Sequence, residues 1–147
     1  MADSSEIPVD VIPGYELIRK IGEGGMGEVY LARQVTLERE VAIKFLTKIT
    51  SSKDFDIDES LQKEAMLMAK LSHPNIVSVI DRGTCAVGPF LVMEYIKGES
   101  LRKQLVPGQP MPIERARSII QAIGRALIHL HEHGILHQDL KPENVLI

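Results

Sequence analysis

The stretch His137-Gln138-Asp139-Leu140-Lys141-Pro142-Glu143-Asn144-Val145-Leu146-Ile147 places an acid, an amine and an amide within six residues of each other. That spacing suits phosphoryl transfer, where positioning and electrostatic stabilisation make up most of catalysis. A lone Asp-Leu-Lys on a surface would mean nothing, but Asp139-Leu140-Lys141-Pro142-Glu143-Asn144 is a specific string. Two further segments stand upstream. One is a glycine run, Gly22-Glu23-Gly24-Gly25-Met26-Gly27-Glu28-Val29; the other is an apolar stretch holding one cation, Val41-Ala42-Ile43-Lys44.

Glycines let a backbone approach phosphate oxygens and offer them N–H groups. A Walker-type loop needs Lys-Ser or Lys-Thr after the last glycine, and Glu28-Val29 stands there instead. A dinucleotide fold needs a helix to begin at the glycines. Residues 28–33 alternate instead, with Val29, Leu31 and Arg33 against Glu28, Tyr30 and Ala32, so the glycines are predicted to join two antiparallel strands. A hairpin with no ligand stays open on this reading. Val29 is placed to lie over a flat ring, and Ala32 and Ala42 are small enough to leave room for one.

Lys44 sits between Ile43 and Phe45, where an ammonium needs water or a partner. It either snorkels from a strand edge or is held against phosphates by a carboxylate. Glu64 stands beside the helical stripe Ile57, Leu61, Ala65, Met68 and Leu71 and could point inward. Asp58 and Glu59 are rivals, nearer the start of that helix, and Pro74 ends it.

The pattern along the chain is strand-rich with one inserted helix, then helical. Pro13-Gly14 signals a turn before the strand pattern from Tyr15, in which Tyr15, Leu17 and Ile21 lie two or four apart. Gln34 to Glu40 reads as a turn, and Val41 to Leu46 as a strand. Val77 to Ile80 and Phe90 to Tyr95 read as two more strands, joined around Gly83 and Gly88. Ser100 is a candidate cap for a short helix, and Pro107 to Pro112 reads as a loop. Ile113 to Glu132 then gives a long helix with Ala116, Ile119, Ile120, Ile123, Leu127 and Leu130 on a broad face, closed by Gly134.

Composition narrows the classes. With 147 residues, 44% apolar and 25% charged, the chain can build one ordinary domain core. A net charge of -3, no tryptophan and three phenylalanines argue against a nucleic-acid partner. Cys85 is the only cysteine, which excludes an internal disulfide and any multi-cysteine metal site. No basic start precedes an apolar run, so no signal peptide is expected, and no stretch of 18 apolar residues suggests a membrane span. His129 and His133 are four apart, but without a nearby cysteine zinc is disfavoured.

The glycine run, lysine strand and acid-amine-amide string, in this order, resemble the eukaryotic-type protein kinase superfamily, its bacterial Ser/Thr branch above all. The Gly-Gly-Met-Gly tip and His73-Pro74-Asn75-Ile76-Val77 support that placement, and the resemblance covers essentially everything after residue 14. It implies an α+β protein-kinase-like fold: a five-stranded antiparallel N-lobe with helix C, plus the first helices of a mainly helical C-lobe, incomplete. The corresponding boundaries are a polar lead-in over 1–14, N-lobe and hinge over 15–96, and helices D and E with part of the catalytic loop over 97–147.

The same resemblance implies ATP and Mg²⁺ as cofactors and a protein with Ser or Thr as substrate. Ile21, Gly22, Glu23, Gly24, Gly25, Met26 and Gly27 would form the loop over the phosphates, with Met26 facing solvent. Val29 and Ala42 would sandwich the adenine, whose edge would meet the Glu94 carbonyl and the Ile96 N–H, with Met93 as gatekeeper. Lys44 would pair with Glu64 and hold the α- and β-phosphates. Asp139 would orient and accept the proton of the substrate hydroxyl, Lys141 would neutralise the transferred group, and Asn144 would hold Mg²⁺. His73, His131 and His137 would be structural.

Lysine at 141 favours Ser/Thr over Tyr. Gln138 departs from the family's His-Arg-Asp, which puts activation through that arginine in doubt. No Asp-Phe-Gly follows. The chain therefore looks like the front of a kinase domain, inactive alone, with a second metal ligand and any membrane anchor expected beyond residue 147 and the kinase domain itself in the cytoplasm. A pseudokinase-like module that binds nucleotide or protein without transfer is the alternative.

Overall fold

Period-two patterning in the first third of the chain becomes three neighbouring strands: β1 (Tyr15–Gly24), β2 (Gly27–Gln34) and β3 (Arg39–Phe45). The computed structural model describes residues 7–24, 27–46 and 69–147. The helix expected around Glu64, and the loop tip Gly25-Met26, lie outside the described residues. Two more strands, β4 (Val79–Cys85) and β5 (Gly88–Glu94), complete a five-stranded sheet in the order β1-β2-β3-β5-β4, with every neighbouring pair antiparallel. The described residues fall into two compact units, one within Met1–Leu71 and Ser78–Tyr95, the other made of Ser72–Val77 and Ile96–Ile147.

Register decides which face of the sheet each side chain takes. Ala32 pairs with Val41, Tyr30 with Ile43, Ile43 with Val92, and Phe45 with Phe90. These residues, with Ile12, Tyr15 and Leu17, form one apolar cluster on a single face. Phe45, Ile43, Val41 and Val92 are its largest fully buried members. The Tyr30 ring meets Phe45 edge-on at 5.8 Å between centroids, an arrangement suited to the ring quadrupoles. Burial of these β-branched and aromatic residues drives the sheet together.

The sheet also curls. β1 and β4 are its two edges, yet the Tyr15 hydroxyl donates to Asp81 Oδ2 at 3.3 Å, and Gln34 Nε2 donates to the Tyr15 oxygen at 3.4 Å. Burial first, then Asp81, pushes the Tyr15 hydroxyl pKa up.

Three local expectations are corrected. The strand expected over Val77–Ile80 runs instead from Val79 to Cys85, because an edge strand buries one side only and tolerates Asp81, Arg82 and Thr84. Gly83 is thus inside a strand and not in the connection. A Cβ there would lie 2.7 Å from Phe90 Cζ, so the glycine is what admits the Phe90 ring. In β1, register shifts fall between Leu17 and Arg19 and between Lys20 and Gly22. Ile21 therefore falls at a bulge, and its two-residue phase with Tyr15 and Leu17 is broken.

In the second unit, Ser100 precedes a short helix, α1 (Leu101–Gln104), but its hydroxyl makes no capping bond. The Ser100 backbone instead bridges to Leu146. Helix α2 spans Ile113–Glu132, as the periodicity predicts. It ends in a Schellman turn: Ile135 N–H donates to Leu130 O and Gly134 N–H to His131 O, both at 3.0 Å, with Gly134 at φ +72. Leu130 and Ile135, at the two positions that are commonly apolar in this motif, are both buried. Ile120, expected on the apolar face, is 68% exposed, and Ala126 is buried instead. The His73, His129 and His133 rings lie in series, 5.1 and 4.5 Å apart between centroids.

Candidate active site

The glycine run is a hairpin. Gly24 pairs with Gly27, Glu23 with Glu28 and Gly22 with Val29, so strand pairing continues to the foot of the two-residue tip. Residues 27–34 being strand rules out the helix that a dinucleotide fold would start there.

Cross-strand partners share a face, which places several expected residues together. Gly22, Val29, Lys44 and Leu91 form one row across four strands. Leu31, Ala42 and Met93 form the next row on the same side. Val29, Ala42, Lys44 and Met93 therefore sit on the face opposite the apolar cluster. Ala32 does not join them, because it is one residue out of phase with Val29 and lies in the core. Leu31 and Leu91 were missed as members of this surface. Alternation gives the phase of Leu31, but Leu91 needs the β3–β5 register. The Glu94 N–H donates to Ser78 O at 3.0 Å and its Oε1 accepts from the Ser78 N–H at 3.0 Å, fixing the end of β5. Ile96 belongs to the second unit. Lys44 is half-buried, and its expected partner Glu64 is outside the described residues.

In the second unit the acid, the amine and the amide converge. Lys141 Nζ lies 2.8 Å from Asp139 Oδ2. Asn144 Nδ2 donates to the same Oδ2 at 3.0 Å and to the Asp139 carbonyl at 2.8 Å. A 3-10 turn over Pro142–Asn144 brings the amide back, with Asn144 N–H bonded to Lys141 O at 2.9 Å. The hydrogen bonds from Lys141 and then Asn144 hold the Asp139 carboxyl below the usual carboxylate range. Asp139 in turn raises Lys141.

Two supports aim this cluster. The Asp139 N–H bonds to the His137 carbonyl at 2.7 Å around Gln138, which takes φ +60. The strand-like return is tied by Leu101 N–H to Val145 O at 2.7 Å and by reciprocal bonds between Glu99 and Ile147. His137 Nδ1 also faces the Asp139 N–H, at 3.4 Å.

The donor chemistry fits a hard cation. Both bonds from Asn144 Nδ2 go to oxygens, which fixes the amide orientation and turns Oδ1 away from Asp139. Oxygen ligands of this kind suit Mg²⁺.

The Protein kinase domain family model matches residues 15–147. The chain belongs to the protein kinase family. Its likeness runs to the bacterial Ser/Thr branch. It is 44% identical over 133 residues to serine/threonine-protein kinase pkn2 of Myxococcus xanthus, covering 90% of this chain and 16% of that protein. It is 39% identical to PrkC of Bacillus subtilis, again over 90% of this chain but 20% of the relative. The crystal structure of the Mycobacterium tuberculosis PknI kinase domain matches with a TM-score of 0.83 at 28% identity, over 97% of this chain and 59% of that one. The chain thus spans a minor share of its curated relatives' length. Among the described residues, no helix is long and apolar enough to cross a membrane.

Proposed function

We propose that this chain carries the nucleotide-binding and hydroxyl-activating residues of a serine/threonine protein kinase, which moves the ATP γ-phosphoryl group to a Ser or Thr hydroxyl of a protein. The observation that carries the reading is the Asp139–Lys141–Asn144 cluster. Lys141 and Asn144 both engage Oδ2 of Asp139, which leaves Oδ1 to accept the hydroxyl proton. An acid held below the usual range is a weak base, so Asp139 serves mainly to orient the hydroxyl and takes its proton late. Lys141 stands ready to shift toward the transferred oxygens.

Mg²⁺, when bound, neutralises phosphate charge, and Asn144 Oδ1 is the ligand this chain offers. Gly22, Glu23, Gly24, Gly25, Met26 and Gly27, with Ile21 leading in, present backbone N–H groups to the phosphates. Val29, Ala42 and Met93 accept the adenine, and the backbone of Glu94 and Ile96 offers its edge an acceptor and a donor. Lys44, steadied by Glu64, takes the α- and β-phosphates. The chain contains no Asp-Phe-Gly, and its 147 residues alone bind nucleotide without transferring phosphate at a useful rate.

Calorimetric titration with ATP and Mg²⁺ tests this. Saturable binding is expected, weakened roughly tenfold or more by Lys44→Met because a charge-assisted bond is lost. Absence of binding at millimolar ATP would remove the nucleotide reading. Transfer of labelled phosphate to a protein serine by the 147-residue chain, abolished by Asp139→Asn, would overturn its inactivity.

A further inference from the structure

Glu23 and Glu28 pair directly across the glycine hairpin, one residue before its last rung. Like charges in that position push strands apart. Lys20, on the same hairpin, resolves the conflict. Its Nζ lies 2.7 Å from Glu23 Oε2 and 2.6 Å from Glu28 Oε1. Tyr30, which pairs with Lys20, donates its hydroxyl to the other Glu28 oxygen at 3.2 Å. Glu28 is therefore held at both oxygens, and its side chain is only 20% exposed against 61% for Glu23.

Strand phase puts Glu28 and Tyr30 on the opposite face from Val29, Lys44 and Ala42. The lysine thus works from behind the hairpin and touches no ligand on the Val29 face.

We infer that Lys20 is a positioning residue for the polyphosphate: by bridging Glu23 and Glu28 it keeps the hairpin paired up to the glycine tip and the backbone N–H groups aimed. The inference rests on the nucleotide reading above. Without the ammonium, two opposed carboxylates open the end of the hairpin. Ala42 and Met93, the adenine contacts set on β3 and β5, stay where they are, and of the groups that meet the base only Val29 lies on the hairpin. The loss then falls mainly on phosphate recognition and less on the base.

The experiment compares wild type, Lys20→Met, Lys20→Arg and the double variant Lys20→Met/Glu28→Gln. Hydrogen exchange at the Glu28, Val29 and Tyr30 amides is measured, with affinities for ATP and adenosine. Lys20→Met should raise exchange at those amides and weaken ATP roughly fivefold, with adenosine, which keeps Ala42 and Met93, weakened clearly less. Lys20→Arg should restore both readouts, and so should removing the repulsion with Glu28→Gln. Unchanged exchange in Lys20→Met overturns the inference, as does an equal loss of ATP and adenosine, which would mean a general structural role. If the wild type binds neither ligand, the nucleotide reading and the polyphosphate role fail together, while exchange still decides whether Lys20 holds the hairpin.

Discussion

Asp139 is legible as an acid from its string, but its working state comes from where Lys141 and Asn144 put their nitrogens. Its folded-state pKa lies below the ordinary value. The carboxylate therefore adds stability at any pH above the ordinary carboxylate range, and that contribution is lost as pH falls through the lowered value. Lys141 is the mirror case. Its raised value makes its contribution complete below the ordinary lysine range, lost only as pH rises through the folded value. The ion pair should persist across the whole neutral window. Carboxyl NMR should show Asp139 titrating low, and Lys141→Met should return it toward the ordinary range; an unmoved midpoint would mean that Lys141 is not the main cause. At Gly83 the prediction is steric. A Cβ would meet the Phe90 ring at 2.7 Å, and Gly83→Ala should cost about 1–3 kcal/mol in urea unfolding. Nothing in the sequence near Gly83 names Phe90 as the reason.

At the scale of elements, α2 was readable to its last residue because an apolar stripe, a proline before it and a glycine after it agree. Gly134 sits at φ +72, where an L side chain clashes with the backbone. Gly134→Ala should cost about 1 kcal/mol, seen as a lower thermal midpoint, whereas the same change at Gly124 inside the helix should be neutral or stabilising. β4 and the α1 cap were less legible. β4 is an edge strand, and its polar residues follow from having one neighbour, which is a property of the sheet order. Ser100 looks like a cap by type, but pairing with Leu146 takes its backbone elsewhere.

For the whole molecule, the first unit is a curled sheet whose two edge strands meet through one hydroxyl. Tyr15→Phe removes the bonds to Asp81 and Gln34 while keeping the ring in the core. It should cost about 1 kcal/mol, and amide exchange should rise along β1 and β4 before it rises in β3. On the second unit, Ile113, Ile120 and Ile128 are 75%, 68% and 60% exposed along α2. Ile120→Glu should lower concentration-dependent self-association in sedimentation without lowering the thermal midpoint; a fall in the midpoint would show that the residue packs.

Local chemistry settles what can be settled within a few residues. The phase of β2, the α2 boundaries, the hairpin at the glycines and the Asp139–Lys141–Asn144 string were all present in the order of the amino acids, because alternation, capping and turn preferences act over one to four neighbours. Register is different. That Ala42 shares a face with Val29, that Gly83 seats Phe90, and that Lys20 bridges two facing glutamates depend on which residue of one strand meets which of another. Burial chooses that pairing, since a slip of one residue would turn Tyr30, Ile43 and Val92 out of the core, and burial exists only once the strands have come together.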